Sequence, residues 1–222
     1  MGKMRKVGVT AFTYMSVYLS RLGELTGQQW LIYHPLVRYY FDLVAKRNSL
    51  KLVEAVSLVF PSVRRIADVG CGSGRYAAEF QKQGMDVSAC EYGASLRRRA
   101  KRNGVTKLYR FNLAESAVPM PGAPFDLAIC LEVAEHIDER YADKLVDYLV
   151  STAPCIWFTA APPGQGGTGH VNEQLPKYWI AKFESRGAKY DCNRSRLGKE
   201  VMRAAKADHY LADNLMIFAR SA

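Results

Sequence analysis

The chain has 222 residues, 49% of them hydrophobic, and its 31 Lys+Arg against 21 Asp+Glu give a formal net charge of +10. That length and apolar content suit one core with decoration, not two independent domains. The basic surplus favours anionic partners, whether nucleic acid, phosphorylated metabolites or an acidic membrane face, and does not choose among them.

Residues 1–60 read as a helical cap. Phe12, Met15, Leu19 and Leu22 recur at three- and four-residue steps along one helix face. Val37, Tyr40, Phe41 and Val44 repeat the pattern after Pro35, a residue tolerated at helix starts. Leu50, Val53, Val56 and Val59 give a third stripe, closed by Pro61. These helices either cap a ligand pocket or complete the core. Met1 to Lys6 is basic, but Thr10 to Leu22 is interrupted by Ser16, Ser20 and Arg21, so no secretory signal is expected. No apolar run approaches the roughly 18–20 residues of a membrane span. No repeat or low-complexity segment is evident.

Beyond residue 60 the chain alternates. Strand-like runs at 65–69, 86–91, 107–111, 125–131 and 154–160 are separated by helical segments near 74–84, 94–103 and 138–150. Such alternation predicts a parallel, doubly wound α/β sheet over 61–222. Helices near 175–187 and 195–206, with strands at 188–192 and 214–219, complete it. Cys71, Cys90, Cys130, Cys155 and Cys192 are odd in number and form no CxxC pair. Buried reduced thiols, and with them a cytoplasmic location, are the expectation.

Asp68-Val69-Gly70-Cys71-Gly72-Ser73-Gly74 joins the first strand to the first helix of this alternation. Glycines at alternate positions let the backbone turn tightly and approach a ligand, because no Cβ intervenes. The helix start beyond offers free amides and a positive dipole end to an anion. The dinucleotide fingerprint G-x-G-x-x-G/A fails at Arg75, and no Lys-Ser or Lys-Thr follows to make a P-loop. Val87 to Cys90 reads as a strand ending in Glu91, about twenty residues after the turn.

Together, D-x-G-x-G-x-G and the second acid resemble the class I S-adenosylmethionine-dependent methyltransferases over roughly residues 60–222. The resemblance implies a Rossmann-like, mostly parallel seven-stranded sheet with an antiparallel last strand. It implies S-adenosylmethionine as cofactor, with Asp68, Gly70, Cys71, Gly72 and Gly74 at its methionine end and Glu91 on the ribose. Asn112 would supply an acceptor to adenine, with Leu113 or Phe111 against the base, and Leu131 would complete the wall.

Glu132-Val133-Ala134-Glu135-His136 follows the fourth strand. This E-x-x-E-H run resembles the ubiquinone-pathway O-methyltransferases and the small-RNA 2′-O-methyltransferases. That likeness implies a divalent cation, Mg²⁺ or another, on Glu132, Glu135, His136 and His170. The spacing of His170 departs from the RNA-methylating branch. The alternative is metal-free: the acids orient the turn, and His136 or His170 is the general base, since only histidine has an ordinary pKa near neutrality.

Residues 161–170, rich in proline and glycine, read as a substrate gate with Gln165, Thr168, His170 and Asn172 as polar contacts. Tyr178 and Trp179 either line the acceptor or belong to the core. Arg97, Arg98, Arg99, Lys101 and Arg102 spread over a wide helical arc and read as a solvated face. The expected activity is O-methylation of a small hydroxylated acceptor, such as a sugar, phenol or natural-product intermediate. An RNA 2′-O-methyltransferase and a catalytically silent cofactor-binding scaffold stay open as alternatives. Oligomeric state is not read.

Overall fold

The computed structural model describes residues 35–115, 119–167 and 169–220. The helix face expected at Phe12, Met15, Leu19 and Leu22, and the loop residue Thr168, lie outside them.

Seven strands form one sheet: β1 (Arg65–Val69), β2 (Asp86–Glu91), β3 (Lys107–Arg110), β4 (Leu127–Leu131), β5 (Cys155–Thr159), β6 (Ala188–Tyr190) and β7 (Met216–Arg220). Their order is β3-β2-β1-β4-β5-β7-β6. The pairs from β3 through β5 are parallel, and β7 runs antiparallel to both β5 and β6. This is the expected mostly parallel sheet with a reversed last strand. The central strands read as unbroken apolar runs because both faces are covered: Leu127 to Cys130 and Ile156 to Phe158 are all fully buried.

Helices α1 (Pro35–Val59), α2 (Arg75–Lys82), α3 (Ala94–Arg102), α4 (Ala142–Thr152), α5 (Pro176–Glu184), α6 (Cys192–Ala204) and α7 (His209–Asp213) flank the sheet. On one face Leu52 and Val56 of α1, Phe80 of α2 and Met202 of α6 share a core with Ile66, Ile129 and Trp157. On the other, Leu145 and Leu149 of α4 and Trp179 and Phe183 of α5 pack with Phe158 and Phe218. Each large side chain so buried contributes about 1.5–3 kcal/mol.

The stripes expected at Tyr40–Val44 and Leu50–Val59 belong to one 25-residue helix. No Gly or Pro falls between residues 36 and 60, so nothing stops it. Its inward face also differs from the expectation: Phe41 and Leu50 are exposed, while Asp42 and Asn48 are buried. Helix α6 starts at Cys192, three residues early, because Asp191 caps it through the Arg194 amide. Of the five cysteines, all free, Cys71, Cys90 and Cys130 are buried, Cys155 is half-buried and Cys192 is exposed, against the expectation that the thiols lie inside. No helix among the described residues is long and apolar enough to cross a membrane.

The strand order reverses between β1 and β4. The crevice beyond the carboxyl ends of these two strands is the topological switch point, where open α/β sheets bind ligands. The glycine turn leaves β1 there and the acid–histidine run leaves β4 there.

Candidate active site

The glycine turn is left-handed three times over, with φ of 77° at Gly70, 53° at Gly72 and 71° at Gly74. Two of the three also need the missing Cβ. A Cβ on Gly70 would stand 2.6 Å from Val133 Cγ2, and one on Gly74 would stand 2.6 Å from Val105 Cγ2 and 2.7 Å from Ala100 Cβ. At Gly72 no described residue lies within 4 Å of the place a Cβ would take, which leaves room there for a ligand. The amides of Gly70 and Cys71 are spent on the Cys90 carbonyl of β2 (2.9 and 3.0 Å), which pins the turn to the sheet. Burial pushes the Cys71 thiol up, so it is an inert apolar wall.

Glu91, at the end of β2, ties the turn after β1 to the turn after its own strand. Its carboxylate accepts the Gly72 amide at 3.0 Å and the Gly93 amide at 2.6 Å. Burial raises its pKa, and the two amides oppose that rise. Asp68 is 2% exposed, and its Oδ2 has no hydrogen-bond partner. Burial pushes its pKa to about 7, with the Ala77 amide pulling down and the Glu91 charge pushing up. An acid in that state is an unsatisfied receptor for a cation. An orphaned carboxylate oxygen beside an open glycine edge and a second acid fits the ammonium, main-chain and ribose ends of an amino-acid nucleoside.

The residues expected on the adenine side already have partners within the protein. Asn112 has already committed its side-chain oxygen to the Ala114 amide (3.0 Å), an Asx-turn, which leaves one lone pair for a base. Phe111 and Leu113 are buried in the core, Phe111 against Tyr148 at 4.7 Å. Leu131 is half-buried at the end of β4.

Sequence reasoning missed what holds the turn from behind. Asp42 of α1, 2% exposed, accepts Arg75 Nε and Nη2 (2.9 and 2.8 Å), Arg99 Nη2 (2.8 Å) and Asn103 Nδ2 (3.0 Å). Asn103 also donates to the Ser73 carbonyl at 2.8 Å. Arg75, the residue that breaks the dinucleotide fingerprint, is therefore one arm of a buried clamp. The basic helix α3 divides in the same way. Arg99 is held by Asp42, and Arg97 donates to the carbonyls of Glu91 and Tyr92. Arg98, Lys101 and Arg102 are exposed.

Across the crevice, the acid–histidine run forms a 3₁₀ turn at Ala134–His136. Glu135, His136 and His170 bring ligand atoms within 4.8 Å of one another. Glu135 is fully buried, and among the described residues neither carboxyl oxygen has a well-formed hydrogen bond, although the Glu135 and Ala161 amides lie near enough to lower its pKa. Burial, with the nearby Glu132 charge, pushes its pKa to about 9. His136 Nδ1 faces the Gly169 carbonyl at 3.2 Å, and His170 Nδ1 faces Glu173 Oε1 at 2.8 Å. Both partners can only accept, so each histidine donates from Nδ1. The rings meet edge-on, 4.9 Å apart at 81°. Surrounding protein and the His170 ring push the His136 pKa down to about 4. The residue is exposed to solvent, and the lowered pKa leaves its imidazole neutral at pH 7.

Glu132, expected as a ligand beside Glu135, His136 and His170, is not among the side chains whose ligand atoms converge within 4.8 Å, although its carboxylate lies near enough to raise the Glu135 pKa. Its backbone is held at φ 51°, a strained value for a non-glycine residue. That turn sends its carboxylate to Asn214 Nδ2 (3.0 Å) and Gln165 Nε2 (3.0 Å). Asn214 in turn donates to Gln165 Oε1 at 2.8 Å, so three side chains fasten the 161–170 loop to the end of β4. The loop is tied elsewhere too. The Val171 and Asn172 amides donate to the Glu135 carbonyl (2.8 and 3.0 Å). Asn172 is buried and accepts Gln174 through its oxygen. Trp179 is fully buried against Phe158 and belongs to the core, while Tyr178 is half-buried with Lys182 over its ring.

With the geometry fixed, the comparisons can be placed. The profile of a family described as "Methyltransferase domain" matches residues 67–149, from β1 through most of α4. The ubiquinone biosynthesis O-methyltransferase of Xylella fastidiosa (strain M23) is 30% identical over 113 residues, 49% of this chain and 42% of that protein. The chain thus matches less than half the length of that curated relative. An O-methyltransferase family protein from Burkholderia thailandensis superposes with a TM-score of 0.63 at 16% identity, over 96% of this chain and 71% of the other. A sugar N-methyltransferase from Streptoalloteichus sp. ATCC 53650 does so with a TM-score of 0.58 at 14% identity, over 79% and 87%. At such identities the likeness to the solved structures is one of fold.

Proposed function

We propose, for a chain that carries a class I S-adenosylmethionine-dependent methyltransferase domain, that it transfers a methyl group to a hydroxyl of a small polar acceptor. One observation carries this reading. A glycine turn with an orphaned acid, Asp68, leaves β1, and a cluster of Glu135, His136 and His170 follows β4, the two strands that meet at the switch point. The first suits a cationic nucleoside; the second suits a group that must lose a proton.

When bound, S-adenosylmethionine supplies a methyl group already activated on a sulfonium. The chain's part is to align and to deprotonate. Asp68 Oδ2 would receive the ammonium, and Glu91 would accept from the ribose hydroxyls beside the Gly72 edge. Asn112 would offer its remaining lone pair toward adenine. His136 and His170 would take the acceptor proton on Nε2, since each ring turns its Nδ1 to an acceptor within the protein. The fastened loop would exclude water once the acceptor is in place.

Glu135, His136 and His170 also fit a divalent cation, because a buried carboxyl whose two oxygens lack a well-formed hydrogen bond is costly until something positive meets it. Such an ion would supply Lewis acidity to the acceptor hydroxyl. The buried free cysteines fit a reducing compartment such as the cytoplasm.

A second reading takes RNA as the acceptor. It draws on the +10 charge and on Arg98, Lys101 and Arg102, which share one exposed face of α3. It predicts RNA binding that weakens steeply with salt.

The test is a transfer assay with methyl-tritiated cofactor and a panel of phenols and sugars, with and without chelator. Label in a hydroxyl product supports the reading. Full activity in chelator assigns the proton to the histidines alone. Cofactor binding with no transfer to any acceptor would favour a silent scaffold.

A further inference from the structure

The loop after β5 is built around one carboxylate. Glu173 Oε2 accepts the Gly164 amide at 2.8 Å, and Oε1 accepts both the Gly166 amide (2.9 Å) and His170 Nδ1 (2.8 Å). Gly164, Gly166 and Gly169 take φ of 88°, 68° and 76°, values that glycine adopts without strain. The result is a loop closed on itself, not a free gate. Its product is one oriented imidazole: His170, 11% exposed, lining a cleft of about 430 Å³ with Gly166, Gly167, Val171 and Glu173.

Gly167 has a different task from its neighbours. Its φ is not left-handed, so its backbone would accept alanine. The space its Cβ would fill is taken by His170: the built Cβ overlaps Nε2 and stands 2.5 Å from Cε1. One residue therefore holds the Nδ1 side of the ring, and another leaves room for the Nε2 side.

We propose that Glu173 and Gly167 are positioning residues for His170. Glu173 fixes the ring's proton on Nδ1, and Gly167 leaves the space that the Nε2 edge occupies, so that the ring stands edge-on to that of His136. The purpose of that arrangement rests on the reading above, in which Nε2 takes the acceptor proton or meets a cation. The arrangement itself does not. A carboxylate behind a histidine fixes the tautomer and raises the basicity of the opposite nitrogen. Leaving a side chain at 167 or removing the acceptor at 173 undoes the same geometry by two independent routes.

The experiment uses the whole ¹⁵N-labelled chain and long-range ¹H–¹⁵N spectra of the histidine rings, with His170 assigned by His170→Gln. In the unaltered protein His170 shows a protonated Nδ1 and a lone-pair Nε2. In Glu173→Ala the ratio of that tautomer to the other falls by about tenfold or more, the worth of a charge-assisted hydrogen bond. Glu173→Gln, whose amide oxygen still accepts, restores most of it. In Gly167→Ala the His136 and His170 ring signals shift while the Gly164 and Gly166 amides stay in place, because Glu173 still holds them. An unchanged tautomer in Glu173→Ala, or unchanged ring signals in Gly167→Ala, overturns the proposal. If the Glu173 variants fail to fold, Gly167→Ala decides alone. Calorimetry with S-adenosylhomocysteine on the same samples keeps the two readings apart. Failure of the unaltered chain to bind it removes the methyltransferase reading and leaves the tautomer result standing.

Discussion

Asp42→Ala is the perturbation whose size the structure defines best. It removes a buried carboxylate that accepts four hydrogen bonds from three side chains on two different elements and the loop after α3. Breaking a buried ion pair on one side costs about 3–5 kcal/mol, since the other charge is stranded. Here the stranded guanidinium groups keep some water: the side chains of Arg75 and Arg99 are 25% and 37% exposed. The loss is therefore set at about 2–3 kcal/mol. With a urea slope of about 2 kcal/mol/M, the midpoint falls by about 1 M. The loss also has a pH signature. Burial would raise the Asp42 pKa, but hydrogen bonds from Arg75 and Arg99 overturn that and hold it well below the ordinary carboxylate range. A group lowered in the folded state stabilises it above its unfolded value of about 3.9, and the gain disappears as pH falls through the folded value. The gap between the natural chain and Asp42→Asn should thus be constant from pH 7 to about pH 4 and close below it. Urea unfolding followed by circular dichroism at each pH measures the gap. A gap under about 0.5 kcal/mol, typical of an ordinary surface change, would refute the clamp. So would a gap that does not narrow in acid.

Two glycines of the turn, two positions apart in sequence, should separate stability from binding. Gly74→Ala meets Val105 and Ala100 at a left-handed φ, so it should cost about 2–4 kcal/mol in urea unfolding. Gly72→Ala meets nothing, so it should cost only about 1 kcal/mol yet weaken cofactor binding by calorimetry, because its Cβ enters the ligand's space. Glu135→Gln removes a buried carboxyl without a well-formed hydrogen bond; the metal-free protein should melt at the same temperature or higher, and any Mn²⁺-induced rise in melting temperature should vanish. Asn214→Ala cuts the links to Glu132 and Gln165, so limited proteolysis should nick the 161–170 loop faster while the core endures.

Much of the fold is legible because its signals are local. Glycine at 70, 72 and 74 announces a turn that only glycine can make, and the alternation of strand and helix from residue 65 fixes the parallel sheet. Strand ends shifted by one or two residues because pairing partners, not propensity, end them: β4 begins at Leu127, where Ile66 of β1 begins to pair with it. The joining of two expected helices into α1 was less visible, since Asp42 and Asn48 interrupt the apolar stripe. They are buried polar positions whose partners, Arg75 and Asp208, are 33 and 160 residues away. Asp68 and Glu91, the acids proposed to hold the cofactor, lie near the ends of β1 and β2 and could be placed by spacing. The acceptor side could be read only in part. Glu135, His136 and His170 do meet, but the strained φ of Glu132 is a tertiary outcome that turns its carboxylate to Asn214. Glu173 carried a signal that went unused: an acid three residues after a histidine, in a loop with glycines at 164, 166, 167 and 169.

The central claim is that a sulfonium nucleoside occupies the crevice between β1 and β4, held by Asp68 and Glu91. Isothermal titration of the chain with S-adenosylmethionine and S-adenosylhomocysteine, beside Glu91→Ala, tests it most directly. One-to-one binding of both ligands that Glu91→Ala weakens by about tenfold or more, the loss of hydrogen bonds to a charged group, is the predicted result. No heat with either ligand, or equal affinity in the variant, would contradict it.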